Sequence, residues 1–253
     1  MTKTKNGRLT GGTVTWLPVV PAVLGLSLVL TGCPTIAIDN GNNDGNGLGL
    51  LLLSGQVWTM EEGFNRDTET WESVTAKFTE NREVFSDFGG TGWITGGLLD
   101  FRGGTPGDND LADMEEALRA FSGWETGDIP NVTVSGSADA RAVWLTTLET
   151  AAGTISRRAV TLSANGRTDE WVNYIFVDRN VTVTGELRTH TDRWEWDGDT
   201  FGVTTRHEAF TLPLRAGWNT VHFALSAQSA GNIAANTWGV SHGDPPHLKW
   251  VIF

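Results

Sequence analysis

The sequence predicts an all-β protein: an antiparallel β-sandwich, or alternatively two packed β units, with one short helix around residues 110–122. Three observations point there. From residue 48 onward, short stretches rich in Val, Thr and aromatic residues are separated by clusters of Gly, Asn and Asp. Residues 218–225 alternate Val221, Phe223 and Leu225 with Thr220, His222 and Ala224, the period-two pattern of a half-buried strand. A helical period is confined to one segment.

Taken in order, strands are expected over 55–60, 73–79, 132–135, 142–148, 155–162, 171–177, 181–188, 203–212, 218–225 and 247–253. The glycines between 89 and 107 read as bulges and tight turns between short strands. They lack both G-x-G-x-x-G and Gly-Lys-Ser/Thr, so they form no phosphate loop. In the helix, Leu111, Met114, Leu118 and Phe121 share a face, and Asp113, Glu115 and Glu116 precede Arg119 as the helix dipole favours. Asp110 is expected to cap its start and Gly123 its end. Residues 171–177 have no polar face apart from Asn173, as expected of a central strand covered on both sides. Asn131-Val-Thr-Val-Ser-Gly136 recurs as Asn180-Val-Thr-Val-Thr-Gly185, which suggests two copies of one β unit without longer self-similarity to support it. Trp194 and Trp196 belong to a hairpin ending at Gly198, and Trp238 to a loop.

The single cysteine, Cys33, follows Leu30-Thr31-Gly32 at the end of the apolar run 19–30, behind a start that carries Lys3, Lys5 and Arg8. Basic start, short apolar segment and small residues before a cut are the parts of a secretory signal. The run is too short to span a bilayer, and Pro18 and Pro21 interrupt its start. The tetrapeptide ending at Cys33 resembles the lipobox of bacterial lipoproteins. That resemblance implies a signal peptide over 1–32, cleavage before Cys33 and lipid on the new N-terminus. Pro34, rather than an acidic residue, follows the cysteine, which in such lipoproteins favours the outer membrane or the cell surface. Residues 33–47 then form the lipidated N-terminus and a flexible linker, because 39–47 have no apolar side chain to bury. Residues 48–253 form the β-rich envelope domain.

Composition removes several function classes. The chain has a formal charge of −12, and loss of three basic and no acidic residues with the signal leaves about −15. Such an excess argues against nucleic acid, which requires clustered Lys and Arg. With its thiol spent on lipid, the mature domain has no Cys nucleophile and no Cys metal ligand.

Residual chemistry is thin. Gly239-Val240-Ser241-His242-Gly243 matches a nucleophile elbow, but Pro245 and Pro246 forbid the helix it needs, and too little chain follows for the other triad members. His207-Glu208 begins like a zincin helix, yet Thr211 stands where the second His belongs. His242, Asp244 and His247 share one loop as a possible metal set that lacks a third ligand on rigid structure. Asp108, Asp110, Asp113, Glu115 and Glu116 are explained by helix capping. Glu195 beside Trp194 and Trp196 does not by itself define an acid or a base. No catalytic residue, metal site or cofactor is expected, and the chain is read as a non-enzyme.

Tryptophan is the compositional anomaly, with 12 Trp against 1 Tyr. Most should be core anchors. Trp194, Trp196 and Trp238 are the candidates for an exposed stacking row that would take a glycan. The elements Ser54-Gly55-Gln56-Val57, then Tyr174 to Gly185 (with Val177, Asp178, Val181 and Thr182), then Gly217-Trp218-Asn219 make the chain resemble a group of uncharacterised bacterial envelope lipoproteins. The resemblance implies a lipid-anchored envelope β domain with a structural or interaction role. Its partners would be the membrane, through lipid on Cys33, and an envelope protein or glycan. It brings no catalytic residue.

Overall fold

A computed structural model describes residues 36–39, 49–65, 70–121, 132–163, 166–196, 199–230 and 232–253. Cys33, the expected signal over 1–32 and Gly123 lie outside them, as does the linker beyond Asp39. The strands among the described residues are β1 (Ile36–Asp39), β2 (Leu50–Asn65), β3 (Thr70–Lys77), β4 (Arg82–Phe85), β5 (Thr91–Thr95), β6 (Leu98–Gly103) and β7 (Ala112–Asp113). After helix α1 (Met114–Phe121) come β8 (Val132–Gly136), β9 (Arg141–Leu145), β10 (Leu148–Thr150), β11 (Gly153–Ser163), β12 (Gly166–Val177) and β13 (Val181–Gly185). The chain finishes with β14 (Arg188–Trp196), β15 (Asp199–His207), β16 (Phe210–Leu214), β17 (Gly217–Ala230), β18 (Ile233–His242) and β19 (Lys249–Ile252).

The all-β class holds, but the main sheet is a closed ring and not one face of a sandwich. Strands β2, β6, β5, β4, β10, β11 and β19 pair in that order, and β19 returns to β2. The closing pair is parallel, with Trp250 opposite Val57 and Ile252 opposite Thr59, while the other six pairings are antiparallel. A ring this narrow has an interior that side chains fill completely. Leu51, Leu53, Val57, Val84, Ile94, Leu99, Phe101, Leu148, Ile155 and Trp250 do so, all buried. Burial alternates along β5 and β6, so every second residue of these strands points out. Their hairpin turns at Gly96 and Gly97, with φ of +56° and +82°, a pair of positive values that Gly adopts without strain.

From β11 the sheet continues outward as a wing ordered β12, β17, β18, β15, β14. As expected, β12 is covered on both sides: Val172, Tyr174 and Phe176 face the ring core, and Ile175 and Val177 face a second core. That second core lies under a separate three-stranded sheet, β16–β13–β8, and α1. The repeated pentapeptides are β8 and β13, paired antiparallel about Val134 opposite Val183. The three central pairs therefore match hydroxyl with hydroxyl and Val with Val, and Val faces Gly at both ends.

Several boundaries differ from expectation. The helix begins at Met114, and Asp110 accepts the Gly107 N–H at 2.8 Å in a 3-10 turn instead of capping it. The expected strand 203–212 divides into β15 and β16, which join different sheets. The stretch holding Trp238 and Ser241 is strand β18, with neighbours on both edges, not a loop. Within the expected linker, Ile36–Asp39 pair with β2.

Trp250 is buried in the ring, with its indole N–H donating to the Ser54 carbonyl at 3.1 Å. Trp250→Ala should cost about 3–5 kcal/mol of unfolding free energy in urea titration, the range for deleting a large core aromatic.

Candidate functional site

The wing carries a chain of aromatic rings on the face shared with the second core. Register builds it. Trp171 on β12 lies opposite Arg158 and Phe223, and Trp238 on β18 lies opposite His207 and Leu225. Trp144 meets Phe223 edge-on at 6.2 Å, and Trp171 stacks on Phe223 at 5.6 Å. Trp238 then contacts Trp171 edge-on at 5.8 Å and stacks on His207 at 6.4 Å, and His207 stacks on His190 at 6.2 Å. The inner end is half-buried against the second core. Thr205 and Asn236 occupy the row beside His190.

At the outer end Trp194, 48 % exposed, stacks on Phe201 at 6.2 Å across β14 and β15. The hairpin expected here is present, with Trp196 opposite Asp199. The Trp196 side chain and Asp197 lie outside what is described. Trp194 and Trp238 are thus brought onto one wing, Trp238 half-buried and Trp194 open. Such a surface can stack planar or sugar-like rings, with hydroxyl and amide groups beside them. Sequence reasoning misses His190, which belongs to no motif, and reads His207 only as the start of a zincin-like helix. Their signal is positional: His190 shares β14 with Trp194, and His207 lies on β15 between the strands of Trp194 and Trp238.

The sequence motif at Ser241 has different surroundings. His222 Nδ1 lies 3.2 Å from Ser241 Oγ because the two residues are directly opposite on β17 and β18. Glu170 approaches His222 Nε2 at 3.2 Å, without hydrogen-bond alignment, and makes a 2.9 Å bond with His247 Nε2. His222 and Glu170 precede Ser241 in the chain, so a search downstream of the serine overlooks them. The elbow's context is missing: Ser241 sits inside β18, and the next loop leads into β19. The Gly243 N–H donates to the Thr220 carbonyl at 3.2 Å.

His242, Asp244 and His247 do not converge. Asp244 accepts both of its contacts from Arg157 Nε, at 2.9 and 3.1 Å, and His247 is held by Glu170. Among the described residues no group of three His, Cys, Asp or Glu is placed to hold a metal ion. The acidic cluster before α1 is equally dispersed. Asp108 pairs with Arg141 at 2.8 Å, and Glu115 pairs with Arg119 one helical turn on.

Arg157 is the centre of this end of the ring. It is 1 % exposed, donates Nη1 to the Leu248 carbonyl at 2.6 Å and lies over the Trp250 ring. Burial, reinforced by the Asp244 charge and opposed by Arg157, holds the neighbouring Tyr174 phenol well above its ordinary pKa. Burial likewise lowers the His222 pKa, with the Glu170 charge pulling the other way. A cavity of about 250 Å³ between α1 and β9 is lined by Ala112, Ala117, Ala142, Val143 and Trp144, with Asp110 and Thr146 as its polar members. Two polar side chains are few for orienting a polar ligand.

No family model, no curated protein and no solved structure matches this chain.

The Arg157 and Glu170 clusters each generate one expected outcome. Asp244→Ala leaves a buried guanidinium unpaired and should cost about 3–5 kcal/mol in urea unfolding, whereas Arg157→Met with Asp244→Leu should recover most of that loss. Folding favours the neutral His222 ring, because its folded pKa lies below the unfolded value. Its stabilising effect is full above about pH 6.5 and is lost as pH falls below that value toward the folded pKa. The slope of unfolding free energy against pH below about 6.5 should therefore be shallower in His222→Gln than in the parent.

Proposed function

We propose that the chain is a lipid-anchored, non-enzymatic module of the bacterial cell envelope, exported to the outer membrane or cell surface, where it serves assembly or adhesion. The observation that carries this reading is Cys33 behind Leu30-Thr31-Gly32, after a basic start and a short apolar run. Paired structure supports it by starting only three residues later, at Ile36. A chain of that length reaches about 10 Å at full extension. The anchor would therefore hold the domain close to the bilayer. A net charge of −12, about −15 without the signal, suits an exposed soluble face and disfavours nucleic acid as partner. In fold terms we read two β units, the ring and a sandwich-like pair of layers around the second core.

A second reading, carbohydrate binding, is favoured by a specific observation. The exposed Trp194–Phe201 stack lies on the same hairpin as His190 and His207, and Trp238 stacks on His207 from the neighbouring strand β18. Trp194, Trp238 and Trp196 are its proposed contacts.

Expression of the full chain in a lipoprotein-processing bacterium fed an alkyne fatty acid tests the first reading. The parent should be labelled and should partition into detergent, and Cys33→Ala should do neither. An unlabelled, freely soluble parent rejects the anchor. For the second reading, Trp194→Ala should lower retention on immobilised polysaccharide at least tenfold, and unchanged retention rejects this face.

A further inference from the structure

A second solvent-facing tryptophan stands apart from the wing, on the outer wall of the ring. Trp93 is at the centre of β5, between β4 and β6. It is 57 % exposed, the most open indole among the described residues. Its two direct cross-strand partners are carboxylates, Glu83 on β4 and Asp100 on β6. Arg102 follows Asp100 on the same face of β6, and Thr91 and Thr95 flank Trp93 on β5. All five of these neighbours are exposed.

The side chains of Trp93, Glu83, Asp100 and Arg102 make no hydrogen bond, ion pair or ring contact with other described residues. That separates this group from the Arg157 and Glu170 clusters, whose groups are engaged with one another. The mounting is rigid, since β5 is paired along both edges and Ile94 beneath it is fully buried. Adjacent strands lie about 4.8 Å apart, so a carboxylate flanks each edge of the indole at about the width of one sugar ring.

We propose that Trp93, Glu83, Asp100 and Arg102 form a glycan-binding platform for a neutral pyranose. One apolar C–H face of the ring stacks on the Trp93 indole. Equatorial hydroxyls donate to Glu83 and Asp100, and Arg102 donates to a ring or hydroxyl oxygen. The mixed set decides the ligand class. A bare organic cation needs acceptors alone, and Arg102 beside Asp100 opposes it. An anionic ligand is opposed by both carboxylates. A neutral ligand with hydroxyl donors and acceptors around an apolar face uses all four side chains. This site shares no residue with the Trp194 face and stands or falls separately from it.

The test uses the full chain in detergent micelles with indole-¹⁵N tryptophan, titrated with cellohexaose, maltohexaose and chitohexaose. At least one should move the Trp93 indole resonance saturably. Affinity for that sugar should fall at least tenfold in Trp93→Ala and in Glu83→Gln/Asp100→Asn, and should stay within twofold in Trp194→Ala. The double variant keeps the indole and the outward-facing shape, so its loss is not one of folding. Three results would each overturn the platform: no response at Trp93 to any of these sugars, a response to choline alone, or sugar affinity lost in Trp194→Ala but kept in Trp93→Ala.

Discussion

The fold depends on closing the ring through its last strand. Six of its seven pairings are antiparallel, but the seventh brings β19 parallel to β2 across almost the whole described chain. Parallel neighbours cannot be joined by a tight turn, so something else must hold β19 in register. Arg157 does this from β11. Its guanidinium grips the Leu248 carbonyl just before β19 and the Asp244 carboxylate in the preceding loop, under the Trp250 ring. Pro245 and Pro246 lie between those two grips and limit how far the loop can relax. The Phe253 N–H then bonds to the Thr154 carbonyl at 3.0 Å. A buried guanidinium is expensive to desolvate; here the Asp244 carboxylate on Nε and the Leu248 carbonyl on Nη1 offset that cost, while Nη2 is buried without a hydrogen-bond partner among the described residues.

Closure also determines what remains available for binding. Ring strands place alternate residues inward, so the opposite set faces solvent whether or not it is polar. On β5 that rule sends Gly92 and Ile94 in and Trp93 out. Gly92 is required here, because a Cβ at that position would lie 2.3 Å from the Asp100 carbonyl oxygen. The close approach that seats β5 on β6 therefore also fixes Trp93 beside Asp100. The wing obeys a different constraint. Its strands outrun the three-stranded cover, so their aromatic face passes from the second core at Trp171 toward solvent at Trp194.

Much of the strand content was legible because Val, Thr and aromatic runs between Gly and Asn clusters carry local information. The covered nature of β12 could be read directly from Trp-Val-Asn-Tyr-Ile-Phe-Val. The ring could not, since a pairing between Trp250 and Val57 leaves no trace in either segment alone. Strand β18 was hidden by its composition: Ile-Ala-Ala-Asn-Thr-Trp-Gly-Val-Ser-His reads as a loop. Hydrogen-bonded neighbours on both edges override that weak propensity. Of the candidate tryptophans, Trp194 was legible from its hairpin and Trp238 was placed in the wrong kind of element. Trp93 lay in a glycine-rich stretch read only for its turns. Its signal was present in Thr91-Gly92-Trp93-Ile94-Thr95, where Trp93 is in phase with two threonines and out of phase with Ile94.

The indole N–H separates the structural tryptophans from the available ones. Trp250 donates to the Ser54 carbonyl, Trp218 to the Gly104 carbonyl and Trp144 to the Ala117 carbonyl, each at 3.1 Å. A buried indole without such a partner would strand a donor in an apolar interior, so these bonds accompany burial as a matter of energetics. Each also ties two elements together: β19 to β2, β17 to the segment after β6, and β9 to α1. Trp93 and Trp194 are under no such obligation, because water satisfies an exposed donor. Each is held about half open on paired strands, Trp93 without a ring contact among the described residues and Trp194 with Phe201 alone against it. The tryptophans among the described residues thus answer two separate demands, one from cores that need large rings with a polar tip, the other from surfaces where the ring itself is the contact.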